Sequence, residues 1–128
     1  MSSIVTRLHQ VSQRAHDLDR AVAFYRDVVG CSFIARFDPP GLAFFDLGNT
    51  RLLLEAAAPS VVLYLEVPDI AVAHHALVAA GVGFVADPHR IHRDDAGQFG
   101  PVGGEEWMAF FRDSEDNLLA LVERRAPT

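Results

Sequence analysis

The chain has 128 residues, of which 50% are hydrophobic and 22% are charged, and its formal net charge is −6. This length and apolar share are typical of one compact globular domain and exclude a disordered segment. Eleven basic residues against 17 acidic ones, with no basic run, offer no electrostatic footprint for phosphate backbones, so we expect no nucleic-acid partner.

The N-terminal letters MSSIVTRLHQ match neither a secretory signal nor a transit peptide. No apolar run approaches the roughly 20 residues that span a bilayer. The single cysteine, Cys31, excludes an intrachain disulfide and is expected to be a small buried thiol rather than a nucleophile. We therefore expect a cytoplasmic protein with no membrane partner.

The first half of the chain predicts the order strand, helix and three strands. A strand-like run over Thr6–Ala15 precedes a helix over 17–30, in which Asp17 is suited to cap the first turn and Gly30 to end the last. Turn residues then separate three short predicted strands, at 33–37, 42–47 and 51–56.

The second half repeats this order. A strand-like run over Val61–Val67 precedes a helix over 69–81, which again starts at an aspartate and ends at a glycine. Three strands are predicted after it, at 84–86 with a possible extension, at 107–112 and at 118–123. The letters AFF occur at 43–45 and again at 109–111, which strengthens the repeat.

This repeat predicts an α+β fold made of two βαβββ modules, at about residues 4–58 and 60–124, within one domain over 1–128. The two sheets are expected to form a curved, incomplete eight-stranded barrel around a central pocket. The pocket is therefore the expected functional site.

The letters DLDRAVAFYRDVVG at 17–30 and FFRDSEDN at 110–117 resemble motifs of the vicinal-oxygen-chelate superfamily, which includes glyoxalase I, extradiol dioxygenases and bleomycin-resistance proteins. The resemblance covers residues 4–124, although Ser114 and Asp116 stand where the family usually has Pro and Gly. It implies the barrel fold, a small organic ligand and a homodimer. It does not define a reaction, because this fold hosts many chemistries.

In metal-dependent members, the resemblance implies one metal ligand on the first and on the last strand of each half. Gln10 and Val62 lie seven residues before the two helix-capping aspartates, and Ala120 lies on the last strand. The remaining position falls on Leu53 or Glu55, which share one strand face. Val62 and Ala120 cannot coordinate a metal, so we expect a degenerate site and no cofactor, with Gln10 and Glu55 as the only possible ligands.

Several other side chains are candidates for binding a ligand. Alternation places Gln10, Ser12 and Arg14 on one face of the first strand, where polar groups favour a wet, ligand-facing wall. Tyr64 lies on the equivalent wall of the second half, and its hydroxyl needs a partner when buried. The full candidate set is Gln10, Ser12, Arg14, Tyr64, His89, His92, Trp107 and Phe111.

His89 and His92 lie in a charged stretch that continues through a Gly-rich segment up to residue 104. Such a segment before a core strand is either a solvated charged loop or a mobile flap over a pocket. The two histidines would face opposite sides in a strand but could converge in a turn, where one of them could reach a substrate.

Three functions remain open at this point. The first is a binding protein or metal-independent enzyme for a small molecule, with the acidic balance favouring cationic ligands. The second is a metal-dependent enzyme, either a lyase, isomerase or epimerase of glyoxalase I (lactoylglutathione lyase) type or a dioxygenase relative. Gln10 and Glu55 would hold its zinc, nickel, manganese or iron, and Glu55 or His89 would be the catalytic group. The third is a non-catalytic interaction module.

Overall fold

The structure is a computed structural model that describes residues 4–128. The chain divides into two compact units, the first ending at Val61 and the second beginning at Val62. Each unit holds one four-stranded sheet and has the element order βαβββ. The predicted pair of βαβββ modules is confirmed. Within the described residues, no helix has the length and apolar character needed to cross a membrane.

The first unit closely follows the predicted order. Its elements are β1 (Gln10–Arg14), α1 (Leu18–Ala23) continued by a π-helical segment (Phe24–Val29), β2 (Ser32–Phe37), β3 (Leu42–Asp46) and β4 (Arg51–Glu55). The strands lie in the order β1-β4-β3-β2, with β1 parallel to β4 and the other pairs antiparallel.

The second unit has the same topology. Its elements are β5 (Leu63–Glu66), α2 (Ile70–Ala79), β6 (His89–Asp94), β7 (Gly104–Arg112) and β8 (Leu118–Arg125). The strands lie in the order β5-β8-β7-β6, with β5 parallel to β8. The sequence repeat is therefore a repeat of topology, since each strand has a counterpart at the same place in the other sheet.

The helices begin and end at the predicted residues. The side chains of Asp17 and Asp69 each accept a hydrogen bond, at 3.1 Å, from the backbone N–H three residues further on, which is the N-cap arrangement. Gly30 ends the first helix with a φ of 85°. The last turns before it are π-helical rather than α-helical, and they carry the fully buried Tyr25.

Each sheet has two distinct faces. The face packed against the helix, here called the helix face, carries fully buried residues such as Phe45 in the first sheet, 6.1 Å from the Tyr25 ring, and Phe111 in the second. Because side chains alternate along a strand, the neighbouring positions point to the opposite side, here called the open face. The ligand-facing residues predicted from the sequence belong on the open face.

The predicted strand at 84–86 is wrong. Phe84 makes only an isolated bridge to Phe111, and the sixth strand is His89–Asp94 instead. All residues of β6 are exposed except the last, so the strand has no apolar alternation that the sequence could reveal. It forms because its backbone pairs with β7 at the edge of the sheet.

Candidate functional site

The β1 side of the open face of the first sheet is polar. Gln10, Ser12 and Arg14 of β1 are half-buried and lie beside the β4 residues with which they are in register. Ser12 pairs with Leu53, and its hydroxyl donates to Glu55 Oε2 at 2.5 Å. The structure thus brings these three predicted side chains together on one face, as alternation requires.

Arg51 is the side chain on this face that the sequence analysis missed. Its Nε and Nη2 atoms donate to Gln10 Oε1 at 3.1 and 2.8 Å, and Nη2 lies 3.2 Å from His9 Nε2. Its Cζ atom is 5.5 Å from the centre of the Phe44 ring. The amide oxygen of Gln10 is therefore bound to a guanidinium. Alternation along β4 could have placed Arg51 on this face, but not against Gln10.

The strand register shows which of Leu53 and Glu55 is the counterpart of Ala120. Ser12 pairs with Leu53 in the first unit, and Tyr64 pairs with Ala120 in the second. Ser12 and Tyr64 occupy equivalent positions, because each lies five residues before its helix-capping aspartate. Leu53 is therefore the counterpart of Ala120, and Glu55 lies two residues further along β4.

The open face of the second sheet carries a pocket of about 320 Å³. Its lining residues are Tyr64, Glu66, Glu106, Met108, Val122 and Arg124. Tyr64 is 56% exposed, and its ring meets that of Phe110 edge-on at 6.0 Å. Tyr64 lines this pocket, and its side chain is largely exposed rather than buried.

The charges in this pocket do not cancel. Arg124 Nε lies 3.7 Å from Glu106 Oε2, and Arg124 Nη2 donates to the Phe99 carbonyl oxygen at 2.7 Å. No ion pair to Glu66 is found among residues 4–128. Two carboxylates against one guanidinium leave the pocket formally one unit negative.

His89 and His92 lie on the same face of β6, although it is a strand. His89 pairs with Met108 and His92 with Glu106, and the register shifts between Arg90 and His92. Such a bulge inserts one extra residue, so two positions three apart point to one side. The expectation that a strand would separate the histidines is wrong for this reason. Both extend the open face that carries the pocket.

Trp107 and Phe111 are placed away from Tyr64. Both occupy the helix face of β7, where Phe111 is fully buried with its ring 5.2 Å from that of Phe84. Trp107 Nε1 donates to Glu105 at 2.9 Å, and the Arg125 guanidinium lies 3.9 Å above the Trp107 ring. The structure does not bring these two aromatic residues to the pocket, because they alternate with the pocket-lining positions of β7.

The predicted flap is held to the sheet by Asp94, a buried residue that the sequence analysis did not single out. Its two carboxylate oxygens accept the backbone N–H groups of Gln98 and Phe99, each at 2.8 Å. These two N–H donors, of which the Phe99 N–H has the larger effect, lower the pKa of Asp94 below its usual value. The Phe99 ring contacts the His92 ring edge-on at 5.8 Å, so the loop reaches the open face.

Burial raises the pKa of the Cys31 thiol to about 11. The thiol is therefore protonated at neutral pH, when it is a poor nucleophile. Cys31 is thus not activated as a nucleophile, as expected, although it is half-buried rather than fully buried.

The two βαβββ modules define the class of protein. The family model of the Glyoxalase/Bleomycin resistance protein/Dioxygenase superfamily matches residues 7–121, and the chain belongs to this superfamily.

Solved structures share the fold across nearly the whole chain. A superfamily member from Sphaerobacter thermophilus is 21% identical with a TM-score of 0.72, covering 94% of this chain and 99% of that one. A lactoylglutathione lyase from Agrobacterium tumefaciens is 23% identical with a TM-score of 0.70, covering 94% and 96%. An antibiotic binding protein from a Streptomyces species is 20% identical with a TM-score of 0.71, covering 99% and 100%. No curated protein matches the sequence.

Proposed function

We propose that this protein binds a small organic molecule on the open faces of its sheets, without the four-ligand metal centre of metal-dependent relatives. The pocket beside Tyr64 carries this proposal. Its volume of about 320 Å³ falls in the range of small-molecule sites, and its lining combines three apolar or aromatic side chains with three charged ones. A similar structure is named as an antibiotic binding protein, which supports the same kind of function.

The side chains at the four family positions do not fit a divalent metal. Leu53, Val62 and Ala120 carry no donor atom, and the oxygen of Gln10 already accepts two hydrogen bonds from a guanidinium. Catalytic zinc needs about three protein ligands, and harder ions need carboxylates. Over residues 4–128, no group of three His, Cys, Asp or Glu side chains is arranged to hold a metal.

The metal-dependent lyase alternative relied on Gln10 and Glu55. The register makes Leu53 the counterpart of Ala120, and Glu55 accepts a hydrogen bond from Ser12. One similar structure is named as a lactoylglutathione lyase, but no arrangement of side chains among residues 4–128 favours that alternative.

A binding screen tests the proposal. Thermal shift against a library of small organic molecules should yield ligands, and Tyr64→Ala should weaken pocket binding about tenfold or more because an aromatic wall is lost. Val72→Ala, which truncates a 65% exposed side chain on α2, is the matched control and should leave binding unchanged. If the affinity of the ligands were unchanged by Tyr64→Ala, the pocket beside Tyr64 would not be their binding site.

Metal analysis of gently purified protein tests the second half of the proposal. We expect no stoichiometric zinc, nickel, manganese or iron. Stoichiometric metal that is lost on Gln10→Ala would overturn it.

We also propose a homodimer. β2 is an edge strand, and its residues Phe33 and Ile34 are 38% and 50% exposed, which favours self-association. A monomeric mass by light scattering at micromolar protein would contradict this.

A further inference from the structure

The Arg51 guanidinium is held in one orientation on the open face of the first sheet. Gln10 Oε1 occupies its Nε and Nη2 donors, His9 lies against Nη2, and the Phe44 ring lies 5.5 Å below Cζ. Within the described part of the chain, no acceptor is bound to Arg51 Nη1. The two N–H groups of Nη1 therefore point away from these partners. The contacts to Gln10, His9 and Phe44 already restrict the rotation of the Arg51 side chain.

This guanidinium forms no direct ion pair in the described part of the chain. Asp46 is its register partner on β3, but the Asp46 carboxylate accepts the backbone N–H of Gly48 at 3.0 Å. No carboxylate among residues 4–128 forms an ion pair with Arg51 within 4.0 Å. The Nη1 donors of Arg51 are therefore not engaged by a carboxylate of these residues, although Asp46 and Glu55 lie on the same face.

An apolar wall adjoins the positive charge. The rings of Phe44 and Phe37 meet edge-on at 5.9 Å, and Phe37 is 52% exposed. Leu53, the register partner of Phe44, lies on the same face. A ligand that reached Arg51 would thus meet aromatic and aliphatic carbon directly beside it.

We propose that Arg51 binds the carboxylate of a small monocarboxylic acid whose apolar, preferably aromatic, body packs against Phe44 and Phe37. This inference rests on the proposed small-molecule function, for which it names a ligand class and its binding residue. A guanidinium matches the planar shape of a carboxylate, and a pre-oriented one loses little side-chain freedom on binding. Multiply charged anions are disfavoured, because the net charge of the molecule repels them.

The test compares benzoate with benzamide, which has the same shape but no charge. Titrations followed by NMR should show that benzoate binds about tenfold or more tightly than benzamide, as charge-assisted hydrogen bonds do. Benzoate should also shift the side-chain amide signal of Gln10, because that amide is bonded to the guanidinium. This second readout on the unmodified protein does not depend on any variant folding.

Substitutions of Arg51 then test whether its guanidinium is the group that binds the carboxylate. Arg51→Gln should abolish the preference for benzoate, and Arg51→Lys should retain only part of it, since a lysine lacks the planar donor pair. Arg26→Gln is the matched control, because Arg26 is an exposed arginine that pairs with Asp27 on the helix. It should leave the preference intact.

Two results would overturn the inference. One is equal binding of benzoate and benzamide, and the other is a preference that survives in Arg51→Gln. If the binding of library ligands requires Tyr64 while the binding of benzoate is unaffected by Arg51→Gln, this inference fails and the proposed function stands. If neither benzoate nor any library compound binds, both fail.

Discussion

At the scale of single residues, Gln13 shows why a polar residue can occupy the buried face of a strand. It is fully buried, and its amide donates to the Val61 carbonyl at 2.8 Å and accepts the Val61 N–H at 2.9 Å. One side chain thus satisfies both backbone groups of a residue just before β5. The sequence alone does not indicate this role, because the partner of Gln13 lies 48 residues away.

Replacing Gln13 should therefore be costly. Gln13→Leu keeps the side-chain volume but leaves the N–H and C=O groups of Val61 without hydrogen-bond partners. We therefore expect a loss of about 2 to 3 kcal/mol in the free energy of unfolding. Urea denaturation measures it. Gln98→Leu is the control, because only the backbone of Gln98 is bonded to Asp94, and it should change stability by about 0.5 kcal/mol or less. Equal effects of the two substitutions would contradict this account.

At the scale of elements, glycine positions and a bulge decide where helices end and where side chains point. Gly30 was predicted to end the first helix, and its φ of 85° explains why a glycine is needed there. The bulge in β6 was not predictable, because it arises from pairing with β7 and leaves no sequence pattern. As a result, helix ends were predicted correctly, whereas the face of His92 was not.

The role of Gly30 can be measured. No neighbouring atom lies within 4 Å of a Cβ at Gly30, so Gly30→Ala should lower stability only through its left-handed backbone, by about 1 kcal/mol. Gly83 has equally free space but no such φ. Gly83→Ala should leave the melting temperature unchanged or raise it slightly, and a matching loss in both variants would disprove the conformational explanation.

At the scale of the whole molecule, acid should release the loop that Asp94 holds. The folded pKa of Asp94 is lowered, chiefly by the Phe99 N–H, so its contribution to stability is present above the usual aspartate pKa of about 3.9 and is lost as the pH falls through the folded value. Asp94→Asn retains only one of the two accepting oxygens. Its melting temperature should lie below that of the unmodified protein near neutral pH, and the gap should close below about pH 4.

Asp95→Asn provides the comparison, since the Asp95 side chain is 82% exposed in its pair with Arg93. It should show little gap at any pH. A gap for Asp94→Asn that persists well below pH 4 would show that the carboxylate charge is not the cause.

Local patterns in the sequence determined the two βαβββ modules and most helix and strand positions, because capping residues, turn residues and alternation act over a few neighbouring positions. They also placed Gln10, Ser12 and Arg14 on one face. Only the tertiary structure decided which residues share a site: Arg51 meets Gln10 across 41 positions, and Leu53 rather than Glu55 mirrors Ala120. The physical reason is that strand register is set by pairing between distant segments, and a shift of one residue reverses the face of every side chain.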